Sequence, residues 1–342
     1  MIAALVAGCG SSTSTTTTTT TTADETEAVE DTQAADEGTE AEASDLKAAI
    51  IMSGAANDLG WNQTAYEGFV AACEKYGITD YTYSENVATA DIAATFADYA
   101  NNGYDIVVGH GFEFGDPALE IADQYPDTTF IITEADAEAD NVGSFVMACE
   151  QTAYVEGVIA ANMSESGVIG AIGPVAGSSL IKIVNGFEDG AKSVNPDIQV
   201  LSAWTNDYVD TQIAMEDAVA MIEQGADVIK HCANASGTGA INAAVENNIW
   251  CMGDSYDQSD LAPENMLDSA LYNLDVVLDI AIGQVVDNTF VGGVYNLGMA
   301  DGAVAMSLTD NLPEDVKAIA EETIQGIMDG TIEVVRDEEL RQ

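Results

Sequence analysis

The sequence predicts an α/β fold of two doubly wound parallel-sheet lobes joined by a hinge. Three observations lead there. After residue 46, short apolar runs alternate with helical patterns, as strand–helix–strand crossovers require. The series then restarts in the same order, so one architecture is written twice. The 342 residues, 47% of them apolar, suffice for two cores.

In order, "KAAIIM" reads as the first strand, followed by a helix from about Trp61 to Lys75. "DYTYSENV" is strand-like, Ile92 to Tyr99 helical, and "YDIVVGHG" a buried strand, before a helix around Pro117–Asp123. "TTFIIT" and "VGSFVM" are two more strands. The second series begins with "GVIGAIG". "VNGFEDGAK" then parallels "AYEGFVAAC", and "IQVLSAW" is its second strand. "MIEQGADVIKHC" parallels "YANNGYDIVVGHG", and "NIWCMG" parallels "TTFIIT". The end departs from the repeat: "LDVVLDIAIGQVVD" is helical, "GVYNLG" and "GAVAMSL" are strands, and a last helix runs from about Pro313 to Met328. These late elements complete both lobes. The expected boundaries are 46–148 plus 269–297 for the first lobe and 149–268 plus 298–342 for the second. Crossings fall around Val146–Gln151, Pro263–Asp268 and Leu297–Gly302.

Charge excludes several functions. Eight Lys and Arg face 59 Asp and Glu, a net −51. Nucleic-acid binding displaces counterions with cationic side chains, and anionic lipid headgroups repel an acidic surface, so neither is an expected partner. The acids read as a solvated surface that keeps the protein soluble. They lack the loop spacing of calcium sites.

The N-terminal "MIAALVAGC" has the end of a signal peptide without its basic start. Val6-Ala7-Gly8-Cys9 resembles the bacterial lipobox, which makes Cys9 the expected lipidation site and residues 1–9 a truncated signal peptide. Residues 10–45, a Thr-rich run and then an acidic tract, cannot bury a core and are expected to be a disordered tether. No run approaches the length of a membrane span, so the lipid is the only membrane attachment foreseen. Cys73, Cys149, Cys232 and Cys251 match no zinc spacing. They read as small buried hydrophobes, with a disulfide between Cys232 and Cys251 left open.

In doubly wound sheets, ligands bind outside the carboxyl ends of the strands. Those loops carry Asn57, Asp58, Trp61, Asn62, His110, Phe112, Glu113, Phe114 and Glu134 in the first lobe. The second lobe offers Trp204, Asp207, Tyr208, Asp210, Asn234, Ser236, Asp254 and Asp257. Aromatic and acidic or uncharged hydrogen-bonding groups dominate. Of the basic residues only Lys182 and Lys230 fall where a cleft is expected. A phosphate or carboxylate ligand wants arginine forks, so the ligand is expected to be a neutral or weakly cationic small molecule, planar enough to stack. "GPVAGSS" lacks the lysine of a phosphate loop, and neither a dinucleotide fingerprint nor a nucleophile elbow is present. The two histidines, His110 and His231, sit in different lobes without partners at catalytic or metal spacing. No enzyme activity, cofactor or metal is expected.

"GWNQTAYEGF", "DYVDTQIAMEDAVAMIEQGADVIKHCANASGTG" and "MGDSYDQSDLAP", with the block 104–131, resemble the basic membrane protein family over roughly residues 46–330. That resemblance implies the type I periplasmic-binding-protein fold. It also implies an extracytoplasmic, lipid-anchored substrate-binding protein of an ABC importer, with permease subunits as partners and a purine nucleoside as ligand. The family's pocket then maps onto Trp61 and Tyr208 as stacking aromatics and Asn62 and Glu134 at the base edge. Ser236 and Gly237 lie near the sugar; in "GDSYDQ" Asp257 keeps the register of the family's second acid and Asp254 stands one place before the first; Asp58 and Phe112, from the strand-end loops, are added to the expected lining. A lysine used at the sugar end in nucleoside binders falls at Tyr272. Two other functions fit the same cleft: a sensor that reports occupancy to a signalling partner, and a nucleoside hydrolase-like enzyme.

Overall fold

The computed structural model describes residues 44–58 and 61–341. The expected lipid site Cys9, and the tether except for its last two residues, lie outside them.

Among the described residues the strands are β1 (Ser44–Met52), β2 (Ile78–Ser84), β3 (Ile106–His110), β4 (Thr129–Thr133), β5 (Val142–Met147), β6 (Val168–Gly173), β7 (Gln199–Trp204), β8 (Val228–His231), β9 (Trp250–Gly253), β10 (Met266–Tyr272), β11 (Gly293–Leu297) and β12 (Val304–Leu308). The helices are α1 (Trp61–Lys75), α2 (Ile92–Asn101), α3 (Gly115–Ala122), α4 (Cys149–Met163), α5 (Ser178–Val194), α6 (Thr211–Glu223), α7 (Thr238–Asn247), α8 (Leu274–Val286) and α9 (Glu314–Met328).

The strands form two sheets, ordered β2-β1-β3-β4-β5-β11 and β7-β6-β8-β9-β10-β12. The first five strands of each lobe thus follow one order. All pairings are parallel except β10 with β12. The expected pair of parallel-sheet lobes is present, with one antiparallel edge strand in the second. β3 is buried along its whole length, as a strand covered by helices on both faces must be. One core runs under α1, α4, α5 and α8, and separate clusters fill the faces covered by α2 and α3 and by α6 and α7.

The repeat has a physical basis at its third strand. Asp105, just before β3, accepts the backbone N–H of Lys47 in β1 at 2.8 Å. Asp227, just before β8, accepts the N–H groups of Glu165 and Ser166 and the Ser164 hydroxyl at 2.6–2.8 Å, on the turn entering β6. Each aspartate pins the start of its third strand to the chain entering its first. The glycines two positions earlier, Gly103 and Gly225, both hold positive φ (74° and 105°), which a side chain disfavours.

Three expectations need correction. β1 begins at Ser44, so the last two residues assigned to the tether are strand; the Ser44 N–H bonds Gly77 O at 2.7 Å. The second crossing is not at Pro263–Asp268: β10 stays in the second sheet through Tyr272, and the chain crosses between Tyr272 and Leu274 so that α8 packs on α1. Pro263 and Asn265 resemble breakers, but the turn they make leads straight into β10. The tail after α9 is not confined to the second lobe. Arg341 pairs with Asp189 on α5, whereas Arg336 reaches Asp136 and Asn296 in the first. The cysteine alternative is resolved too: Cys73, Cys149, Cys232 and Cys251 are free and buried.

Candidate functional site

Strand order reverses at β1 in the first sheet and at β6 in the second, so the switch points lie between β1 and β3 and between β6 and β8. Backbone strain gathers along those carboxyl edges. Asn86, Glu134, Asn206, Asn234 and Ser255 follow β2, β4, β7, β8 and β9, and all have φ between 50° and 69°. Asparagine tolerates that region; glutamate does so only when its surroundings enforce it.

In the first lobe, Asp58 caps α1. Its carboxylate accepts the N–H groups of Asn62 (3.2 Å) and Gln63 (3.0 Å), where the helix dipole favours negative charge. Asn62 is buried, donating to Asp58 at 2.8 Å and accepting Gly54 N–H at 3.3 Å. Trp61 is the first residue of α1. Its ring is half-buried and stacks on His110, with centroids 4.4 Å apart and planes inclined by 28°. His110 ends β3 and is fully buried. Gly111 N–H donates to Thr133 Oγ1 at 3.0 Å, which leaves the hydroxyl proton for His110 Nδ1 at 2.9 Å. His110 Nε2 then donates to Trp61 O at 3.2 Å. The network assigns the neutral Nε2–H tautomer. One face of Trp61 is thus backed by a fixed imidazole. Phe112, two residues on, is 61% exposed.

In the second lobe Tyr208 is 41% exposed on a braced loop. Asp207 accepts the N–H groups of Val209 and Asp210, and the Ser236 N–H donates to Tyr208 O at 3.0 Å. The buried Ser236 hydroxyl is directed at Ala233 O, 2.7 Å away. Gly237 lies so close to the His231 imidazole that a Cβ would collide with it. His231, at the end of β8 as His110 is at the end of β3, donates Nε2–H to Gln258 Oε1 at 2.9 Å; that oxygen also accepts Asp254 N–H at 3.0 Å. Asp254 is buried and accepts the Tyr272 hydroxyl at 2.8 Å and the Ser255 hydroxyl at 2.8 Å. Asp257 is exposed and engages Ser259 N–H and the Ser307 hydroxyl.

The lobes meet here. Burial raises the Tyr208 hydroxyl above its ordinary pKa, and Glu113, from the first lobe, adds to the shift. Glu134 accepts Met147 N–H through Oε1 at 2.7 Å, and its Oε2 lies 3.9 Å from the ammonium of Lys182, which comes from α5. Lys230, by contrast, is paired with Glu156 of α4 beneath the sheet.

Sequence reasoning picked the loops and His110 on them, but not the supports Thr133 and Gln258. His110, Thr133 and Gln258 hold the displayed residues in place. The one signal for them was the matching position of the two histidines in the repeat. Both imidazoles are driven below their ordinary pKa by burial, His110 to about 3. Between 6.5, its ordinary value, and about 3, the unfolded chain takes a proton that folded His110 refuses. The His110 contribution is therefore complete above pH 6.5 and is lost as pH falls toward 3, approaching about 1.4 kcal/mol per pH unit. Buried acids with raised pKa values oppose this, so the comparison is with His110→Gln. In denaturant melts from pH 6.5 to 4.5 the unaltered protein should lose stability more steeply than the variant; parallel curves would refute a neutral buried His110.

Comparison with known proteins follows the same outline. The family model of PnrA-like ABC transporter substrate-binding proteins, Bmp, matches residues 46–338. A purine-binding protein of Brucella abortus is 32% identical over 289 residues, 84% of this chain and 82% of its own. The transcriptional activator protein Med of Bacillus subtilis is 31% identical over 261 residues, 76% of this chain and 81% of its own. Among solved structures, an ABC transporter solute-binding protein from Aeropyrum pernix superposes with a TM-score of 0.73 at 23% identity, over 86% of this chain and 94% of that one.

Proposed function

The chain belongs to the family of PnrA-like ABC transporter substrate-binding proteins, and from that premise we propose that it captures a purine nucleoside between its lobes for an ABC permease. We place it outside the cytoplasm, held to the membrane by a lipid on Cys9. One observation carries the ligand assignment. Trp61, stacked on His110, and Tyr208, 41% exposed, stand on strand-end loops of opposite lobes. Two aromatic side chains from opposite lobes, on loops rich in acidic and uncharged hydrogen-bonding groups, suit a neutral planar base. The purine-binding relative supports the same class. In this reading Trp61 and Tyr208 stack on the base, Glu134 and Asn62 read its edge, and Asp254, Ser236 and Gly237 lie at the sugar. Phe112 closes the mouth, and Asp58 and Asp257 act through the loops they cap. The hydrogen bond from Tyr272 to Asp254 stands where the family's nucleoside binders are expected to use a lysine.

A thermal-shift panel of nucleosides, sugars, flavins and amino acids tests this. A ligand bound by the folded state alone adds about 2.7 kcal/mol at a hundredfold excess over its Kd. The expected hits are inosine, guanosine or adenosine; a panel in which only sugars or amino acids shift the melt would refute the assignment. Any hit should also shut the hinge at 147–149, 272–274 and 297–304. Small-angle scattering should then record a smaller radius of gyration, and an unchanged radius at saturation would count against closure.

The activator among the relatives favours a second reading, a receptor that reports occupancy to a signalling partner. Uptake of labelled nucleoside that depends on this chain supports import; intact uptake without it supports sensing.

A further inference from the structure

Lys182 belongs to α5 in the second lobe, yet its ammonium ends in the first. It donates to Met147 O at 2.6 Å and stands 3.4 Å from Glu150 Oε2 and 3.9 Å from Glu134 Oε2. Met147 links acid and base, its N–H going to Glu134 and its carbonyl to Lys182. The Lys182 side chain is 1% exposed. An ammonium has three donors, and among the described residues only the contact to Met147 is a hydrogen bond. Glu150 Oε2 is buried without a hydrogen bond, and Glu134 Oε2 makes none among the described residues. A purely structural ion pair would close these contacts. Here the charges are close enough to fix one another, while an acceptor oxygen on the strained Glu134 is left over.

We propose that Lys182 is a positioning residue for ligand recognition: it reaches across the lobes and fixes Glu134 as an anionic acceptor, so the site selects a ligand that presents an N–H or O–H donor to Oε2. This rests on the base-edge role proposed above for Glu134. Every charge facing Glu134 bears on it. Burial pushes its pKa up, Lys182 of α5 opposes that, Glu150 of α4 adds to it, and Arg336 of the tail lowers it. Burial works against the Lys182 charge, but Glu134, Cys149 and Glu150 outweigh it and hold its pKa above the ordinary value. Without Lys182, Glu134 loses the charge that opposes burial and Glu150, and it holds its proton to higher pH. A protonated carboxyl is a poorer acceptor, and the preference for a donor weakens.

The test compares inosine with 1-methylinosine, which lacks the N1–H donor. The unaltered protein should favour inosine about tenfold or more, the worth of a hydrogen bond to a charged acceptor. In Lys182→Met the ratio should collapse toward one at pH 6 and recover as pH rises; Lys182→Arg, which keeps the charge, should restore it. Infrared titration gives a readout without ligand. The protonated-carboxyl band lost on Glu134→Gln should appear at higher pH in the Lys182→Met background than in the unaltered one. If Lys182→Met does not fold, Lys182→Met/Glu150→Gln removes one charge of each sign from the cluster and carries the same measurements. An unchanged ratio and an unchanged band would overturn the inference while leaving the nucleoside reading intact. Failure of the unaltered protein to bind any of inosine, guanosine and adenosine would overturn that reading and the inference with it. Full inosine affinity in Glu134→Gln would overturn the base-edge role alone, and with it the inference.

Discussion

Trp61→Ala and Tyr208→Ala should each weaken nucleoside binding about 5- to 150-fold. Stacking of a base on an aromatic side chain is worth about 1–3 kcal/mol, and about 1.4 kcal/mol is tenfold in affinity. The two differ in their effect on folding. Tyr208 is 41% exposed, and its loop is held by Ser236 and Asp207 through backbone atoms that the substitution keeps. Its melting temperature should barely move. Trp61 packs one face on His110 and touches the core under α1, so Trp61→Ala should cost some stability, but less than the roughly 3–5 kcal/mol of a fully buried tryptophan. Affinity and melting must be measured together. Intact affinity with a collapsed melting temperature would make Trp61 a core residue and remove it from the pocket.

The second large effect lies beneath the second sheet. Lys230 is 1% exposed and pairs with Glu156, whose other oxygen has no partner among the described residues. Burial pushes Glu156 up to about 7, against the pull of Lys230. Asp268 is fully buried, both its oxygens are unpartnered among the described residues, and burial drives its pKa well above the ordinary value. Breaking a buried pair from one side leaves an uncompensated charge and costs about 3–5 kcal/mol. Lys230→Met should therefore cost about that much near pH 8, and less near pH 6, where Glu156 can take a proton instead. Lys230→Met/Glu156→Leu should regain most of the loss. Urea melts at both pH values check this; a cost below about 1 kcal/mol, or no recovery in the double variant, would show that the pair is not a closed unit.

Much of the fold was legible because doubly wound sheets write themselves locally. Apolar runs such as "DIVVGH" can only be buried strands, and the Gly-x-Asp turn before β3 and β8 repeats because each aspartate performs the same anchoring. What escaped depended on partners far along the chain. The direction of β12 is set by its pairing with β10, not by its composition. The crossing after Tyr272 is set by where α8 packs. At the site, the loops at the strand ends could be located from the topology, and the aromatic and acidic residues on them stood out by type. Their supports did not: His110 meets Trp61 across 49 residues and Lys182 meets Met147 across 35, separations without a local pattern. Asp58 illustrates the converse, a loop carboxylate that resembles a ligand group and caps a helix.

Calorimetric titration of the full chain with inosine, guanosine and adenosine, and with glucose as the contrasting ligand, decides whether the interlobe site takes a purine nucleoside. The expected result is saturable one-site heat from at least one nucleoside, little or none from glucose, and loss of that heat in Trp61→Ala/Tyr208→Ala at the same protein concentration. Saturable binding of glucose with no response to any nucleoside, or nucleoside heat unaffected by the double substitution, would contradict it.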